Sequence, residues 1–189
     1  MPSDRETAFA VWLTGLPASG KSTVARALVA ELAGKGIRAA VLESDAVRRE
    51  ITPNGGYGET ERDAFYATLA YLARMLVLHG VPVIVDATAN RRTYRDRARA
   101  AIPRFLEAHV RCPLAVCQAR DPKGIYRRGA EGTAQNVPGV SAPYEPPLLP
   151  EVVVDGERDD PAVAAGHIVS ALEKKGFLPC GPGDATEAG

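Results

Sequence analysis

The sequence predicts an α/β fold: a mostly parallel five-stranded sheet flanked by helices, with a lid segment before the last strand. Three observations predict it. Apolar runs of strand character alternate with segments of helical periodicity along the chain, the order that yields parallel strands joined by right-handed crossovers. The run Val81-Pro82-Val83-Ile84-Val85 is wholly apolar, as suits a strand covered on both faces. Finally, Gly15-Leu16-Pro17-Ala18-Ser19-Gly20-Lys21-Ser22 matches the phosphate-loop pattern GxxxxGK[ST] at every fixed position, between a strand-like run and a helical one.

That context makes the motif informative and points to a P-loop NTPase fold. Backbone N–H groups curling around a polyphosphate, with a helix N-terminus behind them, bind its negative charge. Gly15 and Gly20 permit backbone angles and close approach that side chains would block. Lys21 reaches the β and γ phosphates, and Ser22 offers a hydroxyl to Mg²⁺, an ion that keeps several waters and takes few protein ligands. The expected ATP-binding set is therefore Gly15, Leu16, Pro17, Ala18, Ser19, Gly20, Lys21, Ser22 and Thr23.

Taken in order, residues 9–14 form the first strand, and the following helix carries Val24, Leu28 and Leu32 on one face before Gly34 and Gly36 close it. A second strand spans 37–42 and ends at Glu43-Ser44-Asp45. Residues 52–58 are loop, because Pro53, Asn54, Gly55, Gly56 and Gly58 forbid regular structure. A long helix over 59–79 places Phe65, Leu69, Leu72 and Leu76 at helical spacing, with Gly80 as its cap. The third strand, 81–85, leads to Asp86. A basic helix over 91–102 carries Arg91, Arg92, Arg95, Arg97 and Arg99, read as surface charge or lid contacts. A weak fourth strand covers 107–111 and a short helix 114–120. From 121 to 150 prolines and glycines alternate; so long an irregular stretch inside a compact domain reads as a functional lid. Residues 151–155 make the fifth strand, 161–175 a closing helix with Val163, Ile168 and Leu172 inward, and 179–189 a disordered tail. Residues 1–178 read as one domain.

Composition narrows the function. The 189 residues contain 46% hydrophobic residues, enough for a proper core, and Lys+Arg and Asp+Glu balance at 23 each. No global field favours nucleic acid or an anionic membrane, and no apolar run of about 18 residues is present to span one. A polar N-terminus without signal-peptide character and three sparse cysteines (Cys112, Cys117, Cys180) without metal spacing suit a reduced, cytoplasmic protein. Cys112 and Cys117 are expected to be buried as small apolar residues. His79, His109 and His167 stand in unrelated places and receive no chemistry.

Ligands in such sheets bind beyond the carboxyl ends of the strands. Phosphoryl transfer needs a carboxylate to orient the acceptor hydroxyl, and Asp45 is the first choice. If its segment starts a helix, Asp45 and Arg48 share a face, one taking a proton or holding metal-bound water and the other an anionic acceptor. Asp86 is the rival for the metal, also through water. Either aspartate equally suits a helix N-cap. Arg62, by spacing alone, belongs on a solvated face.

Beyond these motifs, the chain from Trp12 to Asp155 resembles the adenylylsulfate (APS) kinases. The opening strand and loop are similar, as is Leu42-Glu43-Ser44-Asp45-Ala46-Val47-Arg48. The most specific match is Cys112-Pro113-Leu114-Ala115-Val116-Cys117-Gln118-Ala119-Arg120-Asp121-Pro122-Lys123-Gly124-Ile125-Tyr126, followed by the lid-like Gly139-Val140-Ser141-Ala142-Pro143-Tyr144-Glu145-Pro146-Pro147. The resemblance implies transfer of the ATP γ-phosphate to the 3′-hydroxyl of adenosine 5′-phosphosulfate. It implies Asp45 as the acceptor-side carboxylate, Arg48 and Arg62 as substrate-anion arginines, Lys123 as a lid lysine, a homodimer, and a functional link to ATP sulfurylase. The family pattern has an asparagine where Phe65 stands and a lid phenylalanine, stacking on the acceptor's adenine, where Val137 stands. Tyr57 takes the place of the other stacking phenylalanine, and Asp86-Ala87-Thr88-Ala89-Asn90 replaces a FISP-type segment. Base–aromatic stacking is worth roughly 1–3 kcal/mol per base. These departures gather on the acceptor side, so a different small hydroxyl-bearing nucleotide or specialised metabolite is the alternative acceptor, and a nucleotide-binding module without catalysis is a third reading that the intact Lys21, Ser22 and Asp45 oppose.

Overall fold

A computed structural model of the chain describes residues 8–53, 55 and 58–179. The expectations for Tyr57, Cys180 and the tail from 180 onward lie outside the described residues. Five parallel strands form one sheet in the order β2-β3-β1-β4-β5: β1 (Ala10–Thr14), β2 (Ala40–Glu43), β3 (Val83–Asp86), β4 (Phe105–Arg111) and β5 (Val152–Asp155). The helices are α1 (Lys21–Gly34), α2 (Ser44–Ile51), α3 (Glu59–Leu78), α4 (Arg92–Ala101), α5 (Leu114–Arg120), α6 (Ile125–Ala130) and α7 (Pro161–Lys174).

The period of two along β1 divides the core. Phe9, Val11 and Leu13 face α1 and α7, where Leu28, Leu32, Ile168 and Leu172 are fully buried. Ala10 and Trp12 face α3 and α4, against Phe65, Leu69, Tyr94 and Ala98. Both faces of the central strand are thus covered, which is why the strand sequences run apolar without polar alternation.

Several expectations change in detail. The fourth strand is no weak element: it has seven residues and pairs with both β1 and β5, because neighbours on both sides satisfy a backbone whose side chains include Glu107 and His109. The buried stripe of α3 runs through Arg62, Phe65, Tyr66, Leu69, Ala70, Ala73 and Val77, leaving Leu72 and Leu76 half-buried at its margin. Val163 is 52% exposed, and α7 buries the neighbouring Ala164 and Ala165 instead. Segment 121–150 contains a helical turn, α6, whose first amides donate to the Asp121 carboxylate from Ile125 (2.7 Å) and Arg127 (2.9 Å). This segment sits on its own small cluster of Cys112, Cys117, Tyr126 and Val137, with Leu16 and Ala18 of the phosphate loop packed against it. The two cysteines are buried free thiols, as expected.

Arg95, expected at the surface or against the lid, is 1% exposed. It donates to Glu107 Oε1 (2.7 Å), to the Ala89 carbonyl and to the Glu145 carbonyl (2.6 Å). Arg99 joins Glu107 (3.2 Å) to Glu151 (2.6 Å). Burial alone would raise the Glu151 carboxyl, yet Arg99, the Glu107 amide and Lys175 draw it down to about 2. Breaking a buried pair from one side leaves an uncompensated charge. Because Arg99 remains beside Glu107, Arg95→Met is expected to cost about 3 kcal/mol, the lower end for such losses, measured by urea unfolding; a cost below about 1 kcal/mol would refute the network's weight.

His109 on β4 lies near Tyr144 of the 121–150 segment, ring centroids 6.1 Å apart. Burial, reinforced by the charges of Arg95, Arg111 and Lys21, lowers its imidazole to about 4. The folded state therefore holds His109 neutral where the unfolded chain, near 6.5, takes a proton. Its contribution to stability is complete above pH 6.5 and declines as pH falls toward 4. Unfolding midpoints measured between pH 7 and 5 should fall for the wild type and stay flatter for His109→Gln; equal slopes would show that His109 does not titrate in this window.

Candidate active site

A cleft of about 1130 Å³ opens beyond the carboxyl ends of the strands, where ligands of such sheets bind. Its floor is the phosphate loop. Gly15 permits the loop to cross β4: a Cβ there would lie 2.4 Å from the Val110 carbonyl oxygen. Gly20 turns the chain into α1 with φ 104°, a conformation that glycine adopts freely. Pro17, Ala18, Gly20, Lys21, Ser22 and Thr23 line the cleft. Gly15 and Ser19 are buried behind them, and Leu16 packs against the small third cluster. Lys21, only 8% exposed, donates to the carbonyls of Gly15 (3.1 Å) and Leu16 (2.8 Å). Burial lowers its ammonium below the ordinary lysine range, and Asp86 is the leading charge that opposes the shift.

Asp86 ends β3 in register with Leu13 and Glu43 on the flanking strands. It is 4% exposed, lines the cleft, and its Oδ2 has no hydrogen-bond partner among the described residues. An orphaned buried carboxylate oxygen is costly unless something binds it. With the half-buried Ser22, which lines the same cleft, it offers a donor set that fits Mg²⁺: hard oxygen ligands, few in number, leaving the rest of the shell to water and phosphate. Among the described residues no cluster of three or more His, Cys, Asp or Glu side chains could hold a metal.

Asp45 lies in the first turn of α2, with Arg48 one turn later on the same helix. Asp45 is half exposed and accepts from Lys123 Nζ at 2.7 Å, with Glu43 at 3.5 Å from the same ammonium. The expected carboxylate and the expected lid lysine thus meet across the cleft mouth. Arg48 is 8% exposed, its guanidinium carbon 3.8 Å from the Phe65 ring centroid. Arg62 does not lie on a solvated face. It is 9% exposed and donates to Asn90 Oδ1 (3.4 Å) and the Asn136 carbonyl, because the buried stripe of α3 begins at this turn, beneath the loop after β3 and the 121–150 segment. Val137 is 2% exposed and lines the cleft. It offers an aliphatic wall, packed so closely on Gly129 that a Cβ there would lie 2.9 Å from it.

Sequence reasoning singled out neither Asn90 nor Arg120. Asn90 ties three pieces together: it accepts from Arg62, its amide donates to the Pro143 carbonyl (2.9 Å), and its own carbonyl accepts from the Glu145 amide (2.8 Å). The departure from the FISP-type pattern at 86–90 was the available signal. Arg120 donates to the Gly156 carbonyl (2.7 Å) and lines the nucleotide end of the cleft; an arginine closing a helix just before Asp-Pro gave no indication of this. Three non-glycine residues have positive φ among the described residues, Ala18 (61°), Ala89 (41°) and Asn136 (57°), and all belong to the cleft or its supporting loop. Such strain, of order 1–3 kcal/mol, persists where surroundings over-determine it. Ala89 is clamped on both sides, its amide donating to the Tyr66 hydroxyl (3.0 Å) and its carbonyl accepting from Arg95.

The sequence matches the family model described as adenylylsulphate kinase over residues 7–155. It is 40% identical over 152 residues to the probable adenylyl-sulfate kinase of Archaeoglobus fulgidus, covering 80% of this chain and 98% of that one. It is 35% identical over 171 residues to the probable bifunctional SAT/APS kinase 2 of Sorangium cellulosum; that match covers 90% of this chain but spans only 29% of the larger relative. The structure of the Mycobacterium tuberculosis APS kinase CysC in complex with AMPPNP and APS superposes with a TM-score of 0.83 at 31% identity, covering 88% of this chain and 98% of that one. With its phosphate loop, its strand order and these matches together, the chain belongs to the adenylylsulphate kinase family.

Proposed function

We propose that this chain transfers the γ-phosphoryl group of ATP to the 3′-hydroxyl of adenosine 5′-phosphosulfate, giving 3′-phosphoadenosine 5′-phosphosulfate and ADP. The observation that carries the reading is that one cleft joins a complete phosphate loop to a wall holding Arg48 and Arg62, with Asp45 and Lys123 at its mouth. The APS bound in the M. tuberculosis neighbour supports the acceptor.

In this reading the loop amides and the N-terminus of α1 hold the triphosphate, and Lys21 exchanges its two loop carbonyls for β- and γ-phosphate oxygens. Arg48 and Arg62 offset the charge of the phosphosulfate. Asp45 orients the 3′-hydroxyl and takes its proton as that oxygen bonds to the γ-phosphorus. The bond to the β–γ bridging oxygen breaks, and ADP leaves with the electron pair. Ser22 and Asp86, with Asp45 through water, would hold Mg²⁺, which when bound neutralises charge on the phosphates. Lys123 closes the 121–150 segment as a lid by leaving Asp45 for the transferred group. Tyr57, which stands where the family pattern has a stacking phenylalanine, is assigned the stacking on the acceptor's purine, and Val137 lines the cleft as an aliphatic wall. The enzyme is further taken to be a cytoplasmic homodimer. Its functional link to ATP sulfurylase is supported by the bifunctional name of the Sorangium relative, and the homodimer is checked by light scattering.

The aliphatic Val137, standing where the family pattern has a stacking phenylalanine, favours a second reading, in which a different small hydroxyl-bearing nucleotide or metabolite is the acceptor. ADP release measured with APS and with a nucleotide panel separates the two; turnover with another acceptor and none with APS would eliminate the first. Asp45→Asn is expected to lower kcat about 10²-fold or more, the usual scale for acid–base groups; an undiminished rate removes Asp45 from the chemistry. Asp86→Asn is expected to raise the Mg²⁺ concentration needed for tight ADP binding by about tenfold, read by calorimetry without turnover. An unchanged Mg²⁺ dependence would place the ion away from Asp86.

A further inference from the structure

We infer that Phe65 is a positioning residue for acceptor recognition, acting by holding the guanidinium of Arg48 over its ring. The inference rests on the reading of Arg48 as an acceptor-anion arginine. Three residues of α3, Arg62, Phe65 and Tyr66, share one buried face at the i, i+3, i+4 spacing. Phe65 lines the cleft, yet it is only 2% exposed. Arg48 arrives from a different element, α2, and lays its guanidinium carbon 3.8 Å from the Phe65 ring centroid.

The ring itself is immobilised. Its centroid lies 5.3 Å from that of Tyr66 with the rings at 71°, and Tyr66 stacks on Tyr94 at 4.5 Å and 19°. The Tyr66 hydroxyl accepts from the Ala89 amide at 3.0 Å. A ladder of aromatic contacts therefore runs from the core beneath α4 to the cleft wall and ends under a cation. Arginine has a long side chain with many rotamers. A ring beneath the guanidinium removes most of them through a cation–π contact, which is stronger when desolvated. The N–H donors then lie around the rim of the group, in the fork that grips two oxygens of a tetrahedral oxyanion. An aliphatic residue of similar volume at position 65 would fill the core but provide no such plane. The ring accordingly serves the acceptor's phosphosulfate rather than ATP, whose phosphates are held by the loop across the cleft.

The test is a double-mutant cycle on Phe65→Leu and Arg48→Met, with KM for APS, KM for ATP and kcat determined for each and thermal unfolding confirming the folded state. Phe65→Leu is expected to raise the APS KM about tenfold, the scale of a desolvated cation–π contact, while ATP KM and kcat move less than about twofold. Phe65→Tyr, which keeps the ring, is expected to restore the APS KM. In the Arg48→Met background the Phe65→Leu effect should vanish. Equal rises in both KM values, or the same tenfold effect without Arg48, would overturn the inference and leave Phe65 a structural residue. An APS KM insensitive to Arg48→Met would instead refute the reading of Arg48 itself. Should Phe65→Leu fail to fold, Phe65→Met takes its place in the same cycle, and should that also fail to fold, loss of the fold on every ring removal would assign Phe65 to the core and overturn the inference.

Discussion

A lysine ammonium buried to 8% exposure inside a loop built for anions is the constraint on which the rest of the structure depends. Taking a charge out of water is costly unless it is paired or hydrogen-bonded. Here two carbonyls of the loop itself, those of Gly15 and Leu16, satisfy the Lys21 ammonium, and the nearby Asp86 carboxylate favours its charged form. The loop can curl this tightly only because its neighbours leave it room. Gly15 passes over the Val110 carbonyl, and Gly156 approaches the Ser19 carbonyl so closely that a Cβ would lie 2.0 Å from it. β1, β4 and the turn after β5 thus hold the loop as a rigid cradle, in which the Lys21 ammonium is paired with the protein's own backbone.

The wall that carries Arg48 and Arg62 is organised differently. Its arginines sit on the turns of two helices, and their positions depend on side-chain bonds rather than on one backbone loop. Asn90 fastens the loop after β3 to Arg62 and to the 121–150 segment, while Arg95 fastens the same loop from beneath. That segment is anchored on the phosphate loop as well, where Tyr126 donates to the Pro17 carbonyl at 3.0 Å. The Lys123–Asp45 contact, by comparison, is exposed on both sides, and exposed pairs contribute little, at most about 1 kcal/mol. The Lys123–Asp45 contact therefore holds the mouth of the cleft only weakly, while the bonds of Asn90, Arg95 and Tyr126 hold its base.

The nucleotide side was legible in the sequence because its chemistry is contiguous. A loop, a lysine and a hydroxyl fall within eight residues, and strand and helix periodicities on either side confirm them. The alternation of strands and helices made the parallel sheet legible for the same reason, and Asp45 and Arg48 were readable as one helical face. Contacts between distant segments were not. Nothing local marks Arg62 as buried, since its burial comes from Asn90 and Asn136, which fold over it from elsewhere. Arg95 reads as one arginine among five in a basic helix, and only Glu107 on β4 and the carbonyls of Ala89 and Glu145 make it a core residue. The helix at 125–130 hid among prolines and glycines, because its start is fixed by the Asp121 carboxylate rather than by propensity.

The grip on a magnesium-loaded triphosphate falls to the buried Lys21 and its cradle. Calorimetric titration of MgATP into the wild type and into Lys21→Met tests it most directly. A clear binding isotherm is expected for the wild type, with a loss of about 10- to 100-fold in affinity for the variant, the scale of a hydrogen bond between charged groups. An absence of MgATP binding by the wild type, or equal affinity in the variant, would contradict it.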